Sequence, residues 1–347
     1  MTIRMLSLRR QKMTEVEREE LVRKILGRYK MKYKDISSIF VNNKYDINRL
    51  HINLSSMISS LSVSSNESII DGMEITISAS IINMIAHYRH YLASIRSKKS
   101  DPPIIYVYAD SDNDSYDITK AYEYVSIILK HIPYTHFISI PKEDISATIM
   151  FFDRLDNDKN EYNSVIISKD DRDIQSIIDT NNIMIRINKD NNIVYWGKTN
   201  PIAIYLDDES FIYDRYLPII QSFVGIKDHP GVAKYGKVKT KKLFMNNISK
   251  LAYEYNYIDP FIDDIGDILN TNQIAELRRA FKYISVKSKY IGLKSTDKLT
   301  RMYMRDKKYA YHEIAELNQK YYTGLDSLMI EELTEDVIIM PKTKIVW

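Results

Sequence analysis

Between residues 66 and 196 short apolar runs alternate with helix-length amphipathic segments, and this alternation constrains the fold more than any other property of the chain. The runs are NESIIDGM (66–73), IIYVYAD (104–110), FISI (137–140), SVIIS (164–168) and IMIRI (183–187). The last is joined across NKDNN to IVYW (193–196), which reads as a hairpin. Helical patterns follow: Ile75 to Ile95, about 118–131, from Pro141 through Phe151, and IQSII after Asp173. Such alternation predicts an α/β fold with a mostly parallel sheet flanked by helices.

Four strands deliver acids at or just past their carboxyl ends: Asp71, Asp110, the pair Glu143 and Asp144, and Asp171 with Asp173. Parallel strands place their carboxyl ends on one edge, where open α/β sheets bind ligands, so these acids are expected to converge. Each alone also reads as a helix cap or a partner of the helix dipole. Converging carboxylates repel one another unless a cation sits among them. An oxygen-only donor set suits Mg²⁺ or Mn²⁺ rather than Zn²⁺. A pair of such ions serves in-line attack of water on a phosphodiester, and these acids are the expected catalytic residues.

A second constellation lies at 217–245. An apolar helical run, Leu217 to Val224, stops at Gly225, and a turn-rich segment follows through Gly236. A second helix starts near Lys237, with Leu243 and Phe244 on one face. The chain has 9 glycines, and Gly225, Gly231 and Gly236 all fall in this window. Glycine permits positive φ and close backbone approach, and a helix opening after Gly236 aims unpaired N–H groups at one spot. Around it stand Lys227, Lys234, Lys237, Lys239, Lys241 and Lys242, with Thr240 as a neutral donor and Asp228 as the acid. This reads as a device that grips nucleic-acid phosphates without reading bases; a helical hairpin with a solvated lysine face is the plainer alternative.

With 347 residues the chain has room for one large or two ordinary domains plus appendages. The net charge of +3 is close to balance, so affinity for nucleic acid must be local. The absence of cysteine excludes disulfides, thiolate metal sites and cysteine nucleophiles. The charged N-terminus does not read as a signal peptide, and no run of about 18 apolar residues spans a bilayer. An intracellular, soluble protein without a membrane partner is expected, in the cytoplasm (of a host cell, for a phage-encoded chain).

Residues 14–31 read as an amphipathic helix with a capping box of Thr14 and Glu17, and residues 1–62 as a helical extension. His87, Arg89, His90, Arg96, Lys98 and Lys99 add positive charge around the first long helix. Beyond 247, Arg278, Arg279, Lys282, Lys287, Lys289, Lys294, Lys298, Arg301, Arg305, Lys307 and Lys308 interleave with Tyr283, Tyr290, Tyr303 and Tyr309. That pattern fits a surface that tracks a single strand and equally a helix with buried tyrosines. The tail carries one β-like run, Val337 to Met340. Extension and tail are the candidate surfaces for a protein partner.

The segments DHPGVAKYGKVKTKKL and SVIISKDDRDIQSI, with the weaker IIDGM and KEDISA, resemble the phage and bacterial 5′–3′ exonuclease and flap endonuclease family. The likeness covers roughly 66–250. It implies a PIN-like nuclease domain (63–215), a helix–three-turn–helix DNA-binding motif with a C-terminal helical region (216–310), and a tail (311–347). It implies that Asp71, Asp110, Glu143 and Asp144 hold a first metal ion and that Asp171, Asp173 and Asp228 hold or orient a second. Asp170 competes with Asp171 for the first place of the Asp-x-Asp pair. The resemblance implies DNA binding through Gly231, Lys234, Gly236, Lys237, Lys239, Thr240, Lys241 and Lys242, with K⁺ a further candidate ion at the hairpin.

The chain departs from the family in three places. Pro141 stands where the family has an acid, the hairpin entrance Gly225-Ile226-Lys227-Asp228 carries fewer acids and is one residue shorter before Pro230, and SDNDSYDITKAYEY is short and acidic where the family has a basic arch. The expectation is a divalent-metal-dependent, structure-selective 5′ nuclease acting on duplex or branched DNA, in phage genome replication or recombination. The alternatives are a non-cleaving DNA-binding or assembly protein of the same fold, and a nuclease acting on RNA.

Overall fold

In the computed structural model the main strands are β1 (Ile47–Asn53), β2 (Ile104–Asp110), β3 (Thr135–Ile140), β4 (Asn163–Ser168), β5 (Ile183–Arg186) and β6 (Ile193–Trp196), and their pairings are parallel except that of β5 with β6. The structure describes residues 11–12, 47–58, 70–71, 74, 77–78, 81–82, 84–85, 104–132, 134–154, 163–178, 180, 182–186, 193–197, 201–207, 212–252, 254–286 and 316. The helix read at 14–31, the basic residues 87–99 and 287–308, and the run at 337–340 lie outside these residues.

The chain divides into two compact units, residues 1–142 with 292–347, and residues 143–291. In the first, the strand order is β3-β2-β1 and both pairings are parallel, with Asn53 beside Tyr108 and Asp110 beside Ile140. Residues Ile105 through Ala109 are all buried, as a strand covered on both faces requires. The register aligns His51, Tyr106 and His136 across the three strands, and their rings stack at 5.1 and 4.8 Å. His51 also meets the Tyr108 hydroxyl at 2.9 Å through Nδ1. Burial, aided by the charge of Arg49, lowers its pKa to about 3, so the ring is neutral. Helix α1 (Tyr116–Leu129) follows β2, with Ala121, Tyr122, Val125, Ile128 and Leu129 on its buried face.

Strand β1 is a correction to the sequence reading, which placed residues 47–53 in a helical extension ending at 62. INRLHIN mixes polar with apolar residues, and three of the polar ones are themselves buried: Arg49, His51 and Asn53. Of the expected first strand, the described residues Ile70–Asp71 pair in parallel with Gln11–Lys12 in a separate two-stranded ladder. Described residues 74, 77–78, 81–82 and 84–85 are helical, as expected after it.

The second unit opens with helix α2, which begins at the unit boundary (Lys142–Arg154), and continues with β4-β5-β6. Strands β4 and β5 pair in parallel, and β5 and β6 form the expected antiparallel hairpin. Residues Asp171–Ile177 wind as a tight 3-10 turn where an α-helix was expected; Asp170 starts it, its carboxylate accepting from the Arg172 N–H at 2.9 Å. Helices α3 (Pro201–Leu206), α4 (Leu217–Val224), α5 (Lys237–Asn247), α6 (Ile258–Ile265) and α7 (Thr271–Ile284) complete the unit. Their core is aromatic: Phe223, Phe244 and Phe261 meet pairwise at 5.5–6.3 Å, with Tyr216 and Tyr235 against them. Helix α7 is started by a capping box in which Asn270 and Gln273 satisfy each other's backbone N–H groups. Among the described residues no helix is long and apolar enough to cross a membrane.

Candidate nucleic-acid interface and carboxylate turn

Helix α4 ends where Gly225 turns to φ +83°, a conformation that side chains disfavour. Gly225–Ile226 then pairs antiparallel with His229–Pro230, closing a small loop. The two crossing backbones leave no room for a side chain at Gly231, where a Cβ would lie 2.2 Å from Phe223 O and 2.4 Å from Gly225 N. Two further bonds fix the return: Val232 N–H donates to Phe223 O and Tyr235 N–H to Val232 O, both at 3.0 Å. Lys234 sits at φ 68°, uncommon for a residue with a side chain. Gly236 is the N-cap of α5 and has no atom within 4 Å of its missing Cβ. No side chain caps the helix there, so its first N–H groups open onto exposed space.

The lysines stand around this opening. Lys227, Lys234, Lys239 and Lys242 are exposed, while Lys237 and Lys241 are half-buried. Lys239 Nζ lies 4.2 Å from the Tyr235 ring centre, and Lys237 Nζ 5.2 Å from that of Tyr205 and 3.1 Å from Asp207. These contacts hold two flexible cations near the start of α5. Val238 is exposed between them. Thr240, expected as a neutral donor to phosphate, is instead wholly buried. With Leu243, Phe244 and Asn247 it forms the i, i+3, i+4, i+7 stripe that α5 turns to the core. The N-terminus of the helix and its lysine face therefore make the candidate phosphate surface, without that hydroxyl.

The acids are placed less uniformly. Asp71 ends the separate two-residue strand. The carboxyl end of β1 carries Asn53, a neutral amide that caps the next turn by accepting from Ser56 N–H. Asp110 does end β2, half-buried, and accepts from Asp112 N–H at 3.0 Å. Glu143 is exposed and Asp144 half-buried in the first turn of α2, the position the helix dipole favours for acids. Asp228 is exposed in the loop after Gly225.

The 170–173 turn holds the most constrained acids, and two arginines that the sequence reading passed over. Arg172 Nε donates to Asp170 Oδ1 at 3.2 Å and Oδ2 at 3.0 Å, and Nη2 donates to Oδ2 at 2.6 Å. Burial opposes the charge of Arg172, but these bonds and the charges of Asp170, Asp173 and Asp228 outweigh it and raise its pKa. Arg186, at the end of β5, places Nη1 2.6 Å from Asp171 Oδ1. That is a charge contact rather than an aligned hydrogen bond, since Oδ1 accepts none. Burial raises the pKa of Asp171; Arg186 opposes that, Asp170 adds to it and Lys237 opposes it. Asp173 is completely buried. Two glutamines tie the turn to the interface helices: Gln221 of α4 donates to Asp171 O at 2.7 Å, and Gln175 donates to Gln221 Oε1 at 2.6 Å and to Ile284 O at 3.0 Å.

A pair of divalent ions does not fit this turn, because guanidinium groups already hold two of its three carboxylates, those of Asp170 and Asp171. Among the described residues no group of three or more His, Asp or Glu side chains is placed to hold a metal ion. The arginines were legible only in part: Arg172 interrupts a run of acids, and Arg186 is a lone charge in an apolar strand.

No family profile matches the chain, and no curated protein matches it in sequence. Three solved structures of the catalytic core of Rad2 in complex with DNA substrate are similar to it at 10–12% identity and a TM-score of 0.43. The likeness covers 83% of this chain and 91–92% of theirs.

Proposed function

We propose that this protein holds duplex or branched DNA by the phosphates of its backbone and acts on it as a structure-selective nuclease. The observation that carries the first part is the loop between α4 and α5: three glycines shape it, an uncapped helix N-terminus opens from it, and exposed lysines ring that opening. Helix N–H groups and lysines contact phosphate oxygens and carry no base code, so recognition follows DNA shape rather than sequence. Hydrolysis is supported by the acids that follow β2 and β3: Asp110, and Glu143 with Asp144. Action as a 5′–3′ exonuclease or flap endonuclease in phage genome replication or recombination is the finer form of this proposal, and it rests on the sequence resemblance alone.

A second reading, binding or assembly on DNA without cleavage, is favoured by the ion pairs of Asp170 with Arg172 and Asp171 with Arg186. One experiment separates the two. A 5′-labelled branched duplex is incubated with the full-length protein in Mg²⁺ or Mn²⁺, beside Asp110→Ala/Glu143→Ala. Products that the double variant loses by about 100-fold or more, while its DNA affinity persists, support hydrolysis. A wild-type protein that binds the duplex and leaves it intact in both ions supports the second reading.

A further inference from the structure

Acids packed into a buried turn require positive charge nearby, which a chain obtains from bound ions or from its own side chains. In the 170–173 turn the chain supplies it. Arg172 grips Asp170 through both oxygens, at 2.6–3.2 Å, and Arg186 lies 2.6 Å from Asp171. The side chains of all four residues are largely removed from water: Arg172 is 9% exposed, Asp171 11%, Asp170 15% and Arg186 26%. Asp173 and Asp228 also act electrostatically on Arg172. Asp171, Asp173 and Asp228 are the residues that the family resemblance assigns to one metal ion.

We propose that Arg172 and Arg186 are the built-in cations of this turn, standing in place of a divalent ion, so that the turn itself binds neither Mg²⁺ nor Mn²⁺. A guanidinium stays charged at any working pH, and its planar fork matches a carboxylate. A divalent ion entering the turn would have to break both ion pairs and would stand beside two guanidinium groups that repel it. The turn is also held from behind, by Gln221 on the Asp171 carbonyl and by the Ser176 hydroxyl on the Asp173 carbonyl at 2.6 Å. The inference goes beyond the proposed function and holds whether the protein cleaves DNA or only binds it.

The test counts Mn²⁺ on the full-length protein, using the paramagnetic resonance signal of the free ion during titration, without DNA or turnover. The wild type and Asp171→Asn/Asp173→Asn are expected to bind the same number of ions with the same affinity. Arg172→Gln/Arg186→Gln is expected to gain one further ion, or to bind Mn²⁺ about tenfold tighter or more. An ion bound by the wild type and lost in the asparagine variant overturns the proposal, as does a glutamine variant that is folded by circular dichroism and gains nothing. Should the glutamine variant not fold, the comparison of wild type with the asparagine variant decides alone. Because the readout is ion binding, failure of the nuclease reading leaves this result unaffected.

Discussion

Gly231 stands where two strands of backbone cross, and its missing side chain is what lets them meet. A Cβ there would lie 2.2 Å from Phe223 O, and neither backbone is free to withdraw. Gly231→Ala is therefore expected to cost stability near the upper end of roughly 1–3 kcal/mol, read as a lower urea midpoint at unchanged slope. Gly236 is the control: nothing lies within 4 Å of its missing Cβ, so Gly236→Ala should cost only roughly 0.5–1 kcal/mol, the difference between glycine and alanine at an N-cap. His51 gives a pH signature. Its folded pKa of about 3 is below the usual 6.5, so below pH 6.5 the unfolded chain takes up a proton that the native ring refuses. This contribution to stability is complete above pH 6.5 and is lost as pH falls toward 3. The loss is about 1.4 kcal/mol per pH unit. His51→Phe keeps a ring against Tyr106 and should flatten that part of the stability–pH curve, measured by denaturant unfolding at each pH.

At the scale of elements, legibility followed where polar residues point. Strands β2, β3 and β4 were readable because runs such as IIYVYAD and SVIIS are apolar enough to be covered on both faces. Strand β1 was not, because Arg49, His51 and Asn53 read as surface residues although the fold buries all three. Thr240 was misplaced for the opposite reason: chemistry suggested a phosphate donor, while its spacing to Leu243, Phe244 and Asn247 already marked the buried face of α5. The arginine pairs of the acid turn depend on three-dimensional placement, which a run such as KDDRD does not reveal. The link from that turn to α4 is testable. Gln221 donates to Asp171 O and accepts from Gln175, which also donates to Ile284 O, so Gln221→Ala strands the Asp171 carbonyl alone. A loss of roughly 1–3 kcal/mol, the cost of one unsatisfied group, is expected in thermal or urea unfolding. Gln221→Glu, which keeps the acceptor but brings a buried charge toward the carbonyl of Asp171, should rescue little of it.

For the molecule as a whole, the α/β class was readable from the alternation of strands and helices, while the first strand lay outside the region that resembled a nuclease. What joins sequence and structure most firmly is the loop from Gly225 to Gly236 with the helix that follows. The measurement that tests it most directly is the salt dependence of DNA binding. Anisotropy of a labelled branched duplex would be followed between roughly 50 and 200 mM salt for the wild type and Lys234→Ala/Lys239→Ala/Lys242→Ala. For every phosphate that the variant no longer neutralises, the slope of log affinity against log salt should become shallower by about 0.9, equally for duplexes of unrelated sequence. Identical slopes in the two proteins, or affinity that follows base sequence, would contradict the assignment of this loop as the phosphate grip.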